Sequence, residues 1–190
     1  MWKNYRIKHG RNIPYENSDL SLLPWYDAVF HKKKNSTSTQ DLILDDDSID
    51  IRVAMPDDVT SISRLYEQLL GQSVDTTLAS KLTEIQNENN NYIFVAVVDG
   101  NVVGTIQCTV CSSIAFNGRP HMALDYFVVD ENYRHKGIGT RLISHIKVMG
   151  EQMDVSAISL VSSEHLKKAH KFYKGVGFNN PVKGFRMILS

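Results

Sequence analysis

Several things are scarce in this 190-residue chain, and each scarcity removes a class of explanation. Charge of one sign does not dominate: Lys plus Arg and Asp plus Glu are 21 each. There is no global basic field for nucleic acid, so an anionic ligand must be attracted locally. Long apolar runs are missing, the longest being Ile93 to Val98. That is far too short to cross a bilayer, and the opening MWKNYRIKHG lacks the apolar centre of a signal peptide, so a cytoplasmic protein without a membrane partner is expected. Only two cysteines occur. Cys108 and Cys111 form a C-x-x-C inside a strand pattern, with no second pair for zinc and no helix start to activate a thiolate. They read as reduced structural thiols, and no metal is expected. The familiar phosphate motifs are also missing: there is no G-x-x-x-x-G-K-[ST], and G-x-G-x-x-G fails because position 142 is Leu.

What is present centres on Met122 to His145, MALDYFVVDENYRHKGIGTRLISH. Met122 to Val129 has no polar alternation, as in a strand covered on both faces, and only Asp125 breaks the run. Ile138, Leu142, Ile143, Ile146 and Met149 recur at helical spacing, so the basic, glycine-punctuated loop between ends at a helix N-terminus. Such a terminus leaves about four N–H groups without partners and carries roughly half a positive charge. Gly137 and Gly139 let a ligand approach the backbone, and Arg134, Lys136 and Arg141 stand around the same point. Residue types and spacing together describe a pyrophosphate cradle.

Residues 1–48 differ from the rest. Trp2, Tyr5, Tyr15, Trp25, Tyr26 and Phe30 lie among polar residues, followed by the basic His31 to Lys34 and the acidic Asp45 to Asp47. Periodicity is poor, with at most a short helix around Leu20 to Phe30, so this is an N-terminal extension of unreadable role. Its aromatic density suggests packing on the domain or on a partner subunit, which leaves a homodimer open. From residue 49 the chain reads as one domain. Ile51 to Ala54 starts a strand; Val59, Ile62, Leu65, Tyr66 and Leu69 mark a helix closed by Gly71. A second helix is expected from Thr76 to Ile85. Tyr92 to Val98 and Val102 to Val110 form a hairpin through Asp99-Gly100-Asn101. After the central helix come a strand over Val155 to Val161, a helix over Glu164 to Lys174 and a last alternating strand over Phe185 to Leu189.

The loop Arg134-His-Lys-Gly137-Ile-Gly139 resembles the R/Q-x-x-G-x-G/A motif of the GCN5-related N-acetyltransferases (GNAT). IRVAMPDDVTSISRLYEQL, YIFVAVVDGNVVGTIQ and AHKFYKGVGF are similar to further segments of that family, in its order, over about residues 50 to 190. The resemblance implies an α+β fold: a mixed, mostly antiparallel sheet with splayed central strands and helices on both faces. It implies acetyl-CoA as cosubstrate, with no metal. Phe127, Val128 and Val129 would line the pantetheine arm, and Arg134, His135, Lys136, Gly137, Ile138, Gly139 and Thr140 would hold the pyrophosphate. The Val129 N–H would be the oxyanion donor.

Acetyl transfer to an amine sets three demands. The amine, near pKa ~10.4, must lose a proton; the oxyanion needs fixed donors; the thiolate needs a proton or hydrogen bond. By resemblance Asp125 takes the place of the strand glutamate that serves some relatives as base, one methylene shorter, so a relaying water suits it. A salt bridge or substrate-binding anion is the competing role. Tyr173 falls where the family's tyrosine reaches the thioester sulfur. One departure is Leu166, where many relatives carry Asn; Ser162 or Ser163 could replace that contact. The implied activity is transfer of acetyl from acetyl-CoA to a primary amine of a small molecule. The loop from Leu69 to Val74 and the extension would wall the acceptor. The alternatives are a protein N-terminal or lysine acetyltransferase and a non-catalytic acetyl-CoA-binding protein.

Overall fold

The computed structural model describes residues 48–189. The expectations for residues 1–47, the short helix near Leu20 to Phe30 included, lie outside the described residues. The described chain runs β1 (Asp50–Val53), α1 (Val59–Leu70), α2 (Ala79–Asn87), β2 (Asn91–Val98), β3 (Asn101–Cys111), β4 (His121–Val129), α3 (Ile138–Gln152), β5 (Ile158–Leu160) and α4 (Lys167–Gly175). The five strands form one sheet in sequence order. The first four pair antiparallel, and β5 pairs parallel to β4. This is the mixed α+β sheet expected from the resemblance.

Local chemistry explains most boundaries. Asp99 and Gly100 both hold positive φ, which matches the right-handed twist of β2 and β3 across a tight hairpin. Gly71, left-handed at φ 69°, ends α1 and donates to the Glu67 carbonyl at 2.9 Å. The helix expected from Thr76 instead begins at Ala79, because the Asp75 carboxylate accepts from the Thr77 N–H at 2.8 Å and its hydroxyl at 2.7 Å. That local turn competes with helical bonding.

Helices cover both faces of the sheet. On one, Val59, Ile62 and Leu65 of α1 and Leu82 of α2 bury with Ile93, Val95, Val102 and Val128. On the other, α3 lays His145 against Phe94, ring centroids 4.7 Å apart. Gly104 fixes how closely α3 docks. A Cβ there would stand 3.3 Å from Ile138 Cγ2, Leu142 Cδ1 and the Val128 oxygen. The first turn of α3 therefore rests on β3 opposite the end of β4, since Gly104 pairs with Val129.

Four sequence expectations need correction. Phe185 to Leu189 forms no strand: Phe185 and Ile188 are 89% and 86% exposed, and an alternating pattern holds no strand conformation without a neighbour to pair with. The strand expected over Val155 to Val161 contracts to Ile158–Leu160 because only those residues find partners on β4, and α4 starts at Lys167 after a turn closed by Leu166 N–H to Ser163 O, 3.0 Å. Finally, β4 is not covered on both faces throughout. Met122, Leu124 and Val128 are buried, whereas Asp125 and Tyr126 are exposed.

Cys108 is buried and Cys111 half-buried, and both are free thiols. Burial pushes the Cys108 thiol up to about 12, which keeps it protonated and inert. Among the described residues no helix is long and apolar enough to cross a membrane.

Burial, with a lesser push from Arg141, holds His145 down at about 4. Below the ordinary histidine value the unfolded chain takes up a proton that the folded chain refuses, so stability is present above about pH 6.5 and declines as pH falls toward 4. Between pH 6.5 and 5 this group alone should cost about 2 kcal/mol. Denaturant unfolding of wild type and His145→Phe at the two pH values checks it; the variant should lose that part of the slope.

Candidate functional site

Five residues after β4 ends, the chain reaches a loop whose backbone alternates in hand. His135 has φ +63° and Gly137 φ +89°. Such alternation makes a backbone concavity suited to anions. Gly137 is the N-cap of α3 and offers no side chain to the helix's first amides, whose first internal bond runs from Arg141 N–H to the Gly137 carbonyl at 3.0 Å. The amides of Ile138, Gly139 and Thr140 precede that first bond and have no partner within the helix. These are the orphan donors of a helix start.

The side chains of the same loop divide their roles. Ile138 is buried, so only its amide is on offer. Arg134 is exposed and donates from Nε to the Val129 carbonyl at 3.1 Å. The Lys136 ammonium lies 4.8 Å from the Tyr133 ring centroid. His135 and Thr140 are exposed. Gly139 answers a different need from the one its motif suggests: a Cβ there would meet the rings of Phe127 and Phe172 at 3.2 Å. It allows α3 and α4 to close on β4.

Beside this loop the sheet opens. β5 follows β4 only from Met122 to Leu124, and the two strands then part. Asp130 N–H donates to the Val103 carbonyl at 2.8 Å, which makes that pair a hydrogen-bonded one; antiparallel pairs alternate, so Val129 is turned the other way. Its N–H and carbonyl face the side that β5 leaves open, where the carbonyl accepts from Arg134 Nε. Val128 is placed differently. Its side chain lies in the core under α1 and its backbone faces Thr105 on β3. Two residues past the end of β5, the Ser162 hydroxyl is buried with no hydrogen-bond partner.

Tyr173, on α4, packs its half-buried ring against Phe127, Phe172 and Phe178 at 6.2, 5.6 and 6.0 Å between centroids. Burial raises its phenol above the ordinary value, so it stays protonated and able to donate. Phe172 is the core-facing aromatic of that helix, 5.8 Å from Phe127.

Asp125 lies beside an irregularity in β4. The register slips between Thr105 and Gln107, so Tyr126 and Phe127 share Ile106 as their opposite residue, and Tyr126 takes φ +49°. This bulge re-aims the strand. Asp125 is exposed opposite Gln107, and the Tyr126 ring packs, tilted by 44°, against Tyr66 of α1 at 5.4 Å between centroids. Gly104 and Asp130 were not legible as site residues; an Asp two positions before Asn132 is nonetheless an Asx-turn signal.

Amides at a helix start beside a strand N–H turned away from its partner strand suit a long ligand with an anionic end. Residues 59–178 match the Acetyltransferase (GNAT) family. A stretch of 97 residues is 31% identical to N-alpha-acetyltransferase 30 of Xenopus laevis, covering 51% of this chain and 35% of that protein; the chain thus spans about a third of the relative's length. The fold is shared with glucosamine-6-phosphate N-acetyltransferase of Arabidopsis thaliana, TM-score 0.66 at 19% identity, covering 75% of this chain and 99% of that one. An aminoglycoside acetyltransferase from an uncultured soil sample gives TM-score 0.66 at 22% identity, over 76% and 99%. With its mixed sheet parting beside β4 and the family match spanning the strand, loop and helix that form the cradle, the chain belongs to the GNAT acetyltransferase family.

Proposed function

We propose that this chain transfers an acetyl group from acetyl-CoA to a primary amine of a small molecule. One observation carries the reading: unpartnered loop amides at the start of α3 lie next to the inward-facing Val129 N–H where β4 and β5 separate. Acetyl-CoA supplies an activated acyl thioester when bound. The amides of residues 134–140 would hold its diphosphate, Phe127 and Val129 would bond its pantetheine arm as an added strand, and Ser162 would meet that arm from the other side. The residues present fit that group, because each end of the ligand finds donors that the fold leaves unused.

The Val129 N–H would face the thioester oxygen as negative charge develops there. Tyr173 would donate to the sulfur as it leaves. Asp125, exposed on the bulge, would take the amine's proton through water or attract the cationic amine before attack. The exposed Tyr126 ring beside it offers a face to an ammonium group. Relatives named as glucosamine-6-phosphate and aminoglycoside acetyltransferases support a small-molecule amine acceptor. Similarity to an N-alpha-acetyltransferase favours a second reading, a protein N-terminus as acceptor.

Free-thiol release from acetyl-CoA across a panel of amino sugars, polyamines, peptides with free N-termini and lysine peptides tests these readings. Turnover with a small amine is the expected result, turnover confined to peptides favours the second reading, and binding without release for every acceptor would leave a non-catalytic acetyl-CoA-binding protein. In the same assay Arg134→Ala should raise KM for acetyl-CoA only about fivefold, since an exposed cation contributes about 1 kcal/mol or less.

A further inference from the structure

The cradle loop is tied to α1 by a buried carboxylate that the chemistry above does not use. Asp130, the first residue after β4, is 1% exposed. One carboxylate oxygen accepts from the Asn132 N–H at 3.0 Å and its side-chain amide at 3.2 Å, which closes the turn at Glu131–Tyr133. The other receives Arg64 at 3.0 Å and the Gln68 amide at 3.4 Å. Arg64 and Gln68 stand one turn apart on α1 and reach further: Arg64 donates to the Val102 carbonyl at 3.4 Å, and the Gln68 oxygen accepts from the Glu131 N–H at 3.2 Å. Helix, hairpin strand and loop meet at a single carboxylate.

We propose that Asp130, clamped by Arg64 and Gln68, is the positioning residue that aims the loop amides at the anionic end of the cosubstrate. The inference rests on the cofactor reading above. Burial works to raise the carboxyl's pKa, but the Asn132 amide and Arg64 outweigh it and hold Asp130 ionised. An ionised carboxylate four residues before Arg134 would repel a diphosphate if left alone. Arg64 therefore does two things: it fixes the loop's origin and cancels a charge of the wrong sign beside an anion site. Asp130→Asn keeps an oxygen for the Asn132 N–H and drops the charge, whereas Arg64→Met leaves the charge buried without its partner.

Calorimetric Kd values for acetyl-CoA and for acetyl-pantetheine, which lacks the diphosphate, should be measured on the full chain, with Tm alongside. The variants are Asp130→Asn, Arg64→Met and the double variant. Asp130→Asn should weaken acetyl-CoA about tenfold and Arg64→Met by more, with acetyl-pantetheine changed less than about twofold; the double variant should return to the Asp130→Asn value. Equal losses for both ligands, or folded variants that bind acetyl-CoA as wild type does, overturn the inference and leave the cofactor reading standing. Wild type that binds no acetyl-CoA overturns both.

Discussion

Gly137→Val should raise the KM and Kd for acetyl-CoA by about 100-fold or more, equivalent to about 3 kcal/mol, while the protein stays folded. Gly137 sits at φ +89°, ψ −15°, where a β-branched residue is a genuine outlier. Valine would drive the backbone toward negative φ, and that rotation turns the following amides of Ile138 and Gly139 away from their common aim. Its methyl groups would also stand in the space where an anion must approach. The loop is largely exposed or half-buried, so little stability depends on it. Steady-state kinetics with varied acetyl-CoA and a melting curve check both parts; an unchanged KM would remove the loop from cofactor binding. Gly137→Ala, with the same backbone strain and a smaller group, should fall between.

The second large effect belongs to Tyr173. Phenylalanine keeps the ring contacts to Phe127, Phe172 and Phe178 and removes only the hydroxyl. Kcat should fall about 100-fold, the lower end of what a positioned proton donor contributes, with Kd for acetyl-CoA changed less than about twofold. At reference values a phenol near ~10 giving its proton to a thiolate near ~8.5 is uphill by about 2 kcal/mol. Burial raises the Tyr173 phenol further, so full transfer is less favourable still and hydrogen bonding to the developing charge becomes the larger share. The sign for pH follows: the donor is intact below its raised pKa, so wild-type kcat should show no alkaline loss from this group until above about pH 10. An unchanged kcat in Tyr173→Phe would take the residue out of the chemistry.

Features that depend on neighbours in sequence were readable; features that depend on which strands meet were not. The glycine stops at 71 and 100, and the apolar stripe from Ile138 to Met149, report local backbone and periodicity, and the structure has them where the sequence puts them. Phe185 to Leu189 alternates like a strand, yet strand formation needs an edge to pair with, and no local pattern encodes that. The apolar neighbours of Asp125 carry no sign of how β4 bends there. The bulge at Tyr126 exposes Asp125, and an extra residue in one strand is visible only against its partner β3. Gly104 and Arg64 carry no local signal for the same reason, since each acts on a residue far along the chain: Gly104 under Ile138, Arg64 on Asp130.

The cradle is tested most directly by titrating the full chain with acetyl-CoA and, separately, with acetyl-pantetheine in a calorimeter. Free amides at the start of α3 should make acetyl-CoA the tighter ligand by about 100-fold, because only it carries the diphosphate. Equal affinities for the two thioesters, or no heat with acetyl-CoA, would contradict the assignment of residues 134–140 as its anion site.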